Sequence, residues 1–295
     1  MKKITRYTVF HRILPRTLWS IIRAVIIGGL CYVILYPYFA KIVNSFKSYS
    51  DFIDPSVRFI PKAPTLDNIR LVMERLDYWS TLLNTLLLAL SIALITTFIS
   101  AFIAYGFARF NFKGKSIMFF VVIFTLIVPP QTMIIPLYLQ FQFFAGFLNL
   151  LNTPYPIIIL ALTGLSLKNG LYIFMLRQNF RNMPKELEEA AYLDGCGVMS
   201  TYFRIILPSA RTMLVTIFLL AFCWQWTDMV YNPLFLREAQ IFSNIVSLAG
   251  SATEPIMSAS MISTAALLAI LPLVVLYIFT QKLFVQSVER TGITG

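Results

Sequence analysis

Six apolar runs, near residues 19–43, 83–108, 117–141, 155–179, 212–236 and 261–284, decide most of what this chain can fold into. Each is long enough to cross a hydrocarbon layer as an α-helix, which takes about 20 apolar residues. Between them they use about half of 295 residues, so no soluble core of ordinary size could shelter them. In hydrocarbon each backbone polar group must also find its partner within the chain, which favours helices. The expected fold class is therefore an all-α integral membrane protein with six transmembrane helices. Composition agrees, with 58% hydrophobic residues and a mean hydropathy of +0.75, far from a soluble globular domain.

Orientation follows from the connecting segments, because cytoplasmic loops retain Lys and Arg. The N-terminal tail carries Lys2, Lys3, Arg6, Arg12 and Arg16 without an acid. Arg109, Lys113 and Lys115 follow the second run, and Arg177, Arg181, Lys185, Arg204 and Arg211 surround the fourth-to-fifth connection. Lys282 and Arg290 close the chain. The alternate connections are balanced or nearly uncharged: residues 44–82 mix five bases with Asp51, Asp54, Asp67, Glu74 and Asp77, and residues 237–260 set one Arg against Glu238 and Glu254. Both termini are thus predicted on the cytoplasmic side. The net charge of +11 is then mostly positive-inside bias and requires no nucleic acid. The N-terminal apolar run is too long for a signal peptide and reads as a retained first helix. Cys31 and Cys223 fall within runs and Cys196 in a cytoplasmic loop, so no extracellular disulfide is expected. His11 is the only histidine, which excludes a histidine-based metal cluster.

One long acid-bearing segment interrupts the apolar second half, from Asn182 to Pro208. Pro184 suits a first helical turn, strong helix formers follow, and Gly195 with Gly197 supplies the stop. Leu187, Ala190 and Ala191 are expected on one side of this short helix, with Lys185, Glu186, Glu188 and Glu189 around the rest. A second helix from about Val198 to Leu207 would pack back on it and end at Pro208. The succession Glu189-Ala190-Ala191, three residues, Gly195, nine residues, Ile205, one residue, Leu207-Pro208 resembles the EAA loop of permease subunits of bacterial ATP-binding cassette importers. Every fixed position is filled. That resemblance implies the type I importer permease fold, with residues 182–208 as a cytoplasmic coupling helix seated in a separate ATPase subunit.

Further stretches are similar to the carbohydrate-importer branch: Thr65-Leu66-x-Asn68, Asn84-Thr85, Ala104 through Arg109, Val128-Pro129-Pro130, Ile135-Pro136-Leu137-Tyr138 and Leu176 through Phe180. Pro130 stands where the branch more often has Gly. The resemblance divides the chain into residues 1–80 (tail, first helix, outer loop), a permease core at 81–285 and a tail at 286–295. It implies a sugar or oligosaccharide substrate, an extracytoplasmic solute-binding protein, a second homologous permease forming a heterodimer, and two ATPase subunits. It places the protein in the bacterial cell membrane as a multi-pass chain. No cofactor is expected on this chain, because ATP and Mg would sit on the partner ATPase. Gly114-Lys115-Ser116 looks like the end of a phosphate loop, but that loop needs a Gly where Arg109 stands.

Lys168 and Asp228 fall well inside the runs, away from their ends, and such residues are site candidates because charge in hydrocarbon is costly. Lys168, beside Asn169 in the fourth run, suits the carboxylate of an acidic, uronic-acid-containing oligosaccharide; alternatively it snorkels from a broken helix or pairs with Asp228. Asp228 lies in Trp224-Gln225-Trp226-Thr227-Asp228, ahead of Asn232-Pro233-Leu234. That segment resembles the branch's fifth-helix Trp-Asn-Asp/Glu stretch, and its Trp226, Asp228 and Asn232 suit sugar hydroxyls and ring faces. Capping within the bundle is the other reading of Asp228. An ion-coupled secondary transporter is the alternative function, but it calls for internal repeats and buried carboxylates, and Asp228 is the only acid in a run.

Overall fold

The computed structural model describes residues 4–246 and 255–292. Lys2, Lys3 and Glu254 lie outside them, as do the side chains of Arg6, His11, Arg12, Arg16, Lys282 and Arg290. The helices are α1 (Ile4–Phe46), α2 (Tyr49–Ile53), α3 (Asp67–Arg75), α4 (Tyr78–Arg109), α5 (Lys115–Phe124), α6 (Ile134–Gln142), α7 (Tyr155–Leu162), α8 (Asn169–Arg181), α9 (Glu186–Leu193), α10 (Val198–Thr201), α11 (Leu207–Ser209), α12 (Arg211–Trp226), α13 (Tyr231–Phe235), α14 (Phe242–Ile245) and α15 (Pro255–Gly292). Among the described residues the only β pairing is an isolated bridge between Phe144 and Leu148.

Three described helices are long and apolar enough to cross a membrane, at Leu18–Phe46, Tyr78–Arg109 and Ser258–Gln281. A fourth results if Val198–Ser209 and Arg211–Trp226, bent by 78°, count as one span. The third and fourth predicted runs are both interrupted, the fourth at Lys168 as the broken-helix alternative has it. In the third, Pro129 and Pro130 offer no N–H to the preceding turn, and the chain passes through a 3-10 turn at Pro130–Met133 before α6. In the fourth, Gly164 and Lys168 take left-handed backbone conformations, with φ of 72° and 62°, between α7 and α8. The fifth run ends early, at Trp226, and resumes as the short α13.

The chain clusters into two units, Met1–Val72 with Gly250–Leu268 and Met73–Ala249 with Ala269–Gly295. In the first, the polar segment that follows α1 folds back on its end. Thr65 N–H donates to the Phe46 carbonyl at 2.9 Å, Asn68 Nδ2 to the Lys47 carbonyl at 2.7 Å, and the buried Lys47 ammonium to the Val57 carbonyl at 3.1 Å. The Thr65 hydroxyl accepts from Asp67 N–H at 3.1 Å at the start of α3. Exposed Asp54 pairs with Lys62 at 2.6 Å, which with Ser56 holds its carboxyl below the usual range.

In the second unit α4 is the central rod, packed along α8, α12 and α7. Thr81, Thr85, Ala89, Ala93, Thr96, Ser100 and Ala104 are buried along one side of it. Their small side chains let neighbouring helices approach closely. Against α5, α8 approaches closely enough that a Cβ on Gly170 would sit 2.7 Å from both the Val122 carbonyl and the Thr125 hydroxyl. Gly170→Ala is therefore expected to destabilise the protein by about 1–3 kcal/mol, the usual cost of overpacking. Gly106, inside α4 with nothing within 4 Å of such a Cβ, should tolerate Ala or gain from its better helix propensity. Melting temperatures of the two detergent-solubilised variants compare them directly, and an unchanged value for Gly170→Ala would contradict the close approach of α5 and α8.

Candidate functional site

The segment 182–209 forms a capped helical knob. Three acids occupy the first turn of α9, Glu186, Glu188 and Glu189, where the helix dipole favours negative charge. At its other end Gly195 takes φ 82°. Gly195 N–H donates to the Tyr192 carbonyl at 3.0 Å and Cys196 N–H to the Ala191 carbonyl at 2.9 Å. This is a Schellman motif, which requires the left-handed residue that glycine supplies most cheaply. The second helix does not stop at Pro208. It widens into a π turn at Tyr202–Ile206, runs through Pro208 in α11, and bends into α12 at Ala210. Pro208 has no N–H to give the turn before it, and the Ser209 hydroxyl covers the Ile205 carbonyl at 2.6 Å.

The inward side of α9 differs from the amphipathic expectation. Glu188 and Ala191 are buried, whereas Leu187, Glu189 and Ala190 face out and Leu193 is 89% exposed. The cause is Arg109 at the end of α4, whose Nε lies 2.9 Å from Glu188 Oε1 with the side chains only 6% and 10% exposed. Arg109 Nη2 also donates to the Met183 carbonyl at 3.0 Å. Beside this pair the Tyr105 ring of α4 lies 4.8 Å from that of buried Tyr202. Of the motif residues, Ile205 and Leu207 are half-buried and Pro208 exposed.

The interruption of the fourth run opens a cavity of about 510 Å³, lined among others by Thr125, Pro129, Ser166, Lys168, Asn169 and Tyr231. Lys168 sits at the break rather than in mid-helix. Its ammonium lies 5.0 Å from the centroid of the Trp224 ring, within cation–π range. Asn169 is buried and holds the break together: its Nδ2 donates to the Gly164 carbonyl at 2.8 Å, and its Oδ1 accepts from the Ser100 hydroxyl of α4 at 2.9 Å. Ser166 meets Thr96 of α4 at 3.1 Å.

Trp226, Asp228 and Asn232 gather elsewhere. Asp228, 4% exposed, accepts the N–H groups of Val230, Tyr231 and Asn232 at 2.8 to 3.2 Å. Its carboxylate caps the start of α13, and no ion pair joins it to Lys168 among the described residues. Gln225 Nε2 donates to Asn232 Oδ1 at 2.7 Å, and the buried Trp226 indole donates to the Ala269 carbonyl at 3.0 Å. These three side chains therefore bind protein, while Lys168 and Asn169 line the cavity. Asp228→Ala should cost about 1–3 kcal/mol, the penalty for buried amides left without an acceptor. Melting temperature should fall while uptake per folded molecule is kept, whereas normal melting with reduced uptake would return Asp228 to the pathway.

The Arg109–Glu188 pair, Ser100 and Trp224 were not candidates from the sequence. One signal was available, since of two adjacent acids, Glu188 and Glu189, only one can face a partner while the other turns toward the protein.

The binding-protein-dependent transport system inner membrane component family matches residues 96–290. Similar curated proteins include the arabinooligosaccharides transport system permease protein AraQ of Halalkalibacterium halodurans, 26% identical over 90% of this chain and 93% of that one. The melibiose/raffinose/stachyose import permease protein MelC of Bacillus subtilis is 28% identical over 88% and 91%. The maltodextrin transport system permease protein MalD of Streptococcus pneumoniae is 28% identical over 90% and 92%. Among solved structures, a chain of a bacterial ABC transporter involved in the import of the acidic polysaccharide alginate has the same fold, with a TM-score of 0.73, 21% identity and coverage of 90% of this chain and 96% of that one. Apolar helices of membrane-spanning length, the helical knob at 182–209 and a family match over most of the chain place it among the inner membrane components of binding-protein-dependent transport systems, the family to which it belongs.

Proposed function

We propose that this chain is one of two permease halves of an ATP-binding cassette importer that brings a sugar or oligosaccharide into the cytoplasm. The chain crosses the membrane six times with both termini inside, three of the crossings being interrupted helices. An extracytoplasmic solute-binding protein delivers the sugar, and a second, different permease completes the pathway. Two ATPase subunits, carrying ATP and Mg²⁺, close on one another and drive alternating access through the coupling loop.

The observation that carries this reading is the loop itself. Its Schellman-capped helix turns Glu189, Leu187 and Leu193 outward, a polar and apolar surface left exposed among the described residues. Relatives named for oligosaccharide transport support the substrate class. The ion-coupled alternative has less to stand on, because the acid it would use is already held by three backbone amides.

Within that class the cavity favours an acidic oligosaccharide. Lys168 stands on its wall, and its ammonium is met by the Trp224 ring face and, among the described residues, by no carboxylate of the protein. The fold neighbour that takes part in alginate import is consistent with this.

Reconstitution with the ATPase and binding protein tests both levels. Glu189→Lys and Gly195→Asp, the latter forcing a side chain into φ 82°, should leave the permease inserted but lower substrate-stimulated ATPase activity roughly tenfold, within the usual range of coupling energies. Normal stimulation in the Glu189→Lys complex would defeat the coupling assignment. Lys168→Met should reduce uptake of a uronic-acid oligosaccharide by roughly ten- to a hundredfold, the worth of a hydrogen bond to a charged group, and spare its neutral analogue. Equal losses for both sugars, or none, would remove the acidic-sugar reading.

A further inference from the structure

The second unit contains a buried ion pair that joins two segments of different character. Arg109 ends α4, the longest uninterrupted helix of that unit, and Glu188 faces inward from the coupling loop. Desolvation offsets much of the Coulomb gain of such a pair, so its net contribution to stability is small, while removal of one partner alone strands a buried charge. The contact has a further property. Nε and Oε1 lie 2.9 Å apart but outside hydrogen-bond angles, so charge holds them rather than a linear bond. The guanidinium's second contact, to the Met183 carbonyl, ties down the chain as it enters the loop.

Nearby basic groups do not compete for Glu188. Arg177 is turned away, its guanidinium 3.8 Å from the Phe119 ring and its Nε 3.4 Å from the Phe107 carbonyl. Lys115 reaches the Phe110 carbonyl at 2.7 Å. The same helix that holds the loop through Arg109 holds the broken span through Ser100 and Thr96. Ser100 and Arg109 are separated by about 13 Å of continuous helix at 1.5 Å per residue, without proline or another break between them.

We infer that Arg109 is the positioning residue through which the coupling loop is latched to α4, so that displacement of the loop moves α4 and, through Ser100 and Asn169, the wall of the Lys168 cavity. This rests on the proposed coupling role of the loop. In this arrangement the sign of the charge pair, rather than the shape of one side chain, sets the register between loop and rod. Tyr105 packed on Tyr202 limits how far the loop can slip when the pair opens.

The test uses the complete reconstituted transporter and reads sugar transported per ATP hydrolysed, together with melting temperature. Arg109→Met and Glu188→Gln should each lower that ratio roughly five- to tenfold with the complex still assembled, and Arg109→Lys should restore part of it. The double exchange Arg109→Glu with Glu188→Arg should recover the ratio beyond either single exchange. The inference is overturned if the single variants keep the wild-type ratio, or if the double exchange recovers stability but not the ratio. Glu189→Lys, measured in parallel, separates the two levels. If it uncouples and the Arg109 and Glu188 variants do not, the latch fails while the coupling loop stands; if it leaves coupling intact, the loop reading itself fails.

Discussion

Backbone polar groups inside an apolar layer have no water to turn to, and every interruption of a helix there must be satisfied by the chain itself. This constraint explains more of the second unit than hydrophobic packing does. Each break has its own remedy. Asp228 offers a carboxylate to three N–H groups where the fifth run ends. Asn169 gives its amide to the Gly164 carbonyl and takes a hydroxyl from Ser100. Ser209 covers the Ile205 carbonyl above the proline bend. Irregular backbone at such depth is tolerated where it lines a cavity, and the break between α7 and α8 does line one.

The uninterrupted helix has the complementary role. α4 buries a row of alanines, threonines and serines, so its neighbours can approach closely and its hydroxyls can bond to adjacent carbonyls or to the broken span. Threonine and serine satisfy themselves on the preceding turn when no other partner is present, as Thr97 does, while Thr85 bonds to that turn and also accepts the Phe242 N–H. A polar seam is therefore inexpensive here, and it binds a rigid element to an interrupted one. At the C-terminal end of the seam the aromatic pair Tyr105–Tyr202 and the charge pair Arg109–Glu188 take over from hydroxyls.

The knob at 182–209 keeps its apolar residues largely outside. A helix that had only to be stable would bury Leu187 and expose Glu188; here the reverse holds because a buried carboxylate is acceptable only beside a counter-charge, and Arg109 supplies one. The exposed surface left over intersperses Leu187, Tyr192 and Leu193 with Glu186, Glu189 and Asp194.

The sequence alone determined the membrane class, because run length against hydrocarbon thickness is a one-dimensional comparison. It also located the loop and its stop at Gly195, since caps and left-handed residues act over a few positions. Where the runs break was only partly legible. A broken helix at Lys168 was one of the sequence's readings and the break at Pro129 and Pro130 was not, yet nothing local marked Lys168 as a left-handed residue, and its conformation is fixed by Asn169 reaching Gly164 and Ser100. The inward turn of Glu188, the separation of Asp228 from Lys168 and the pairing of Lys168 with Trp224 were decided by tertiary structure. Each depends on side chains far apart in the chain or on competing backbone partners, and helical periodicity carries no information about which charge or amide another helix will present.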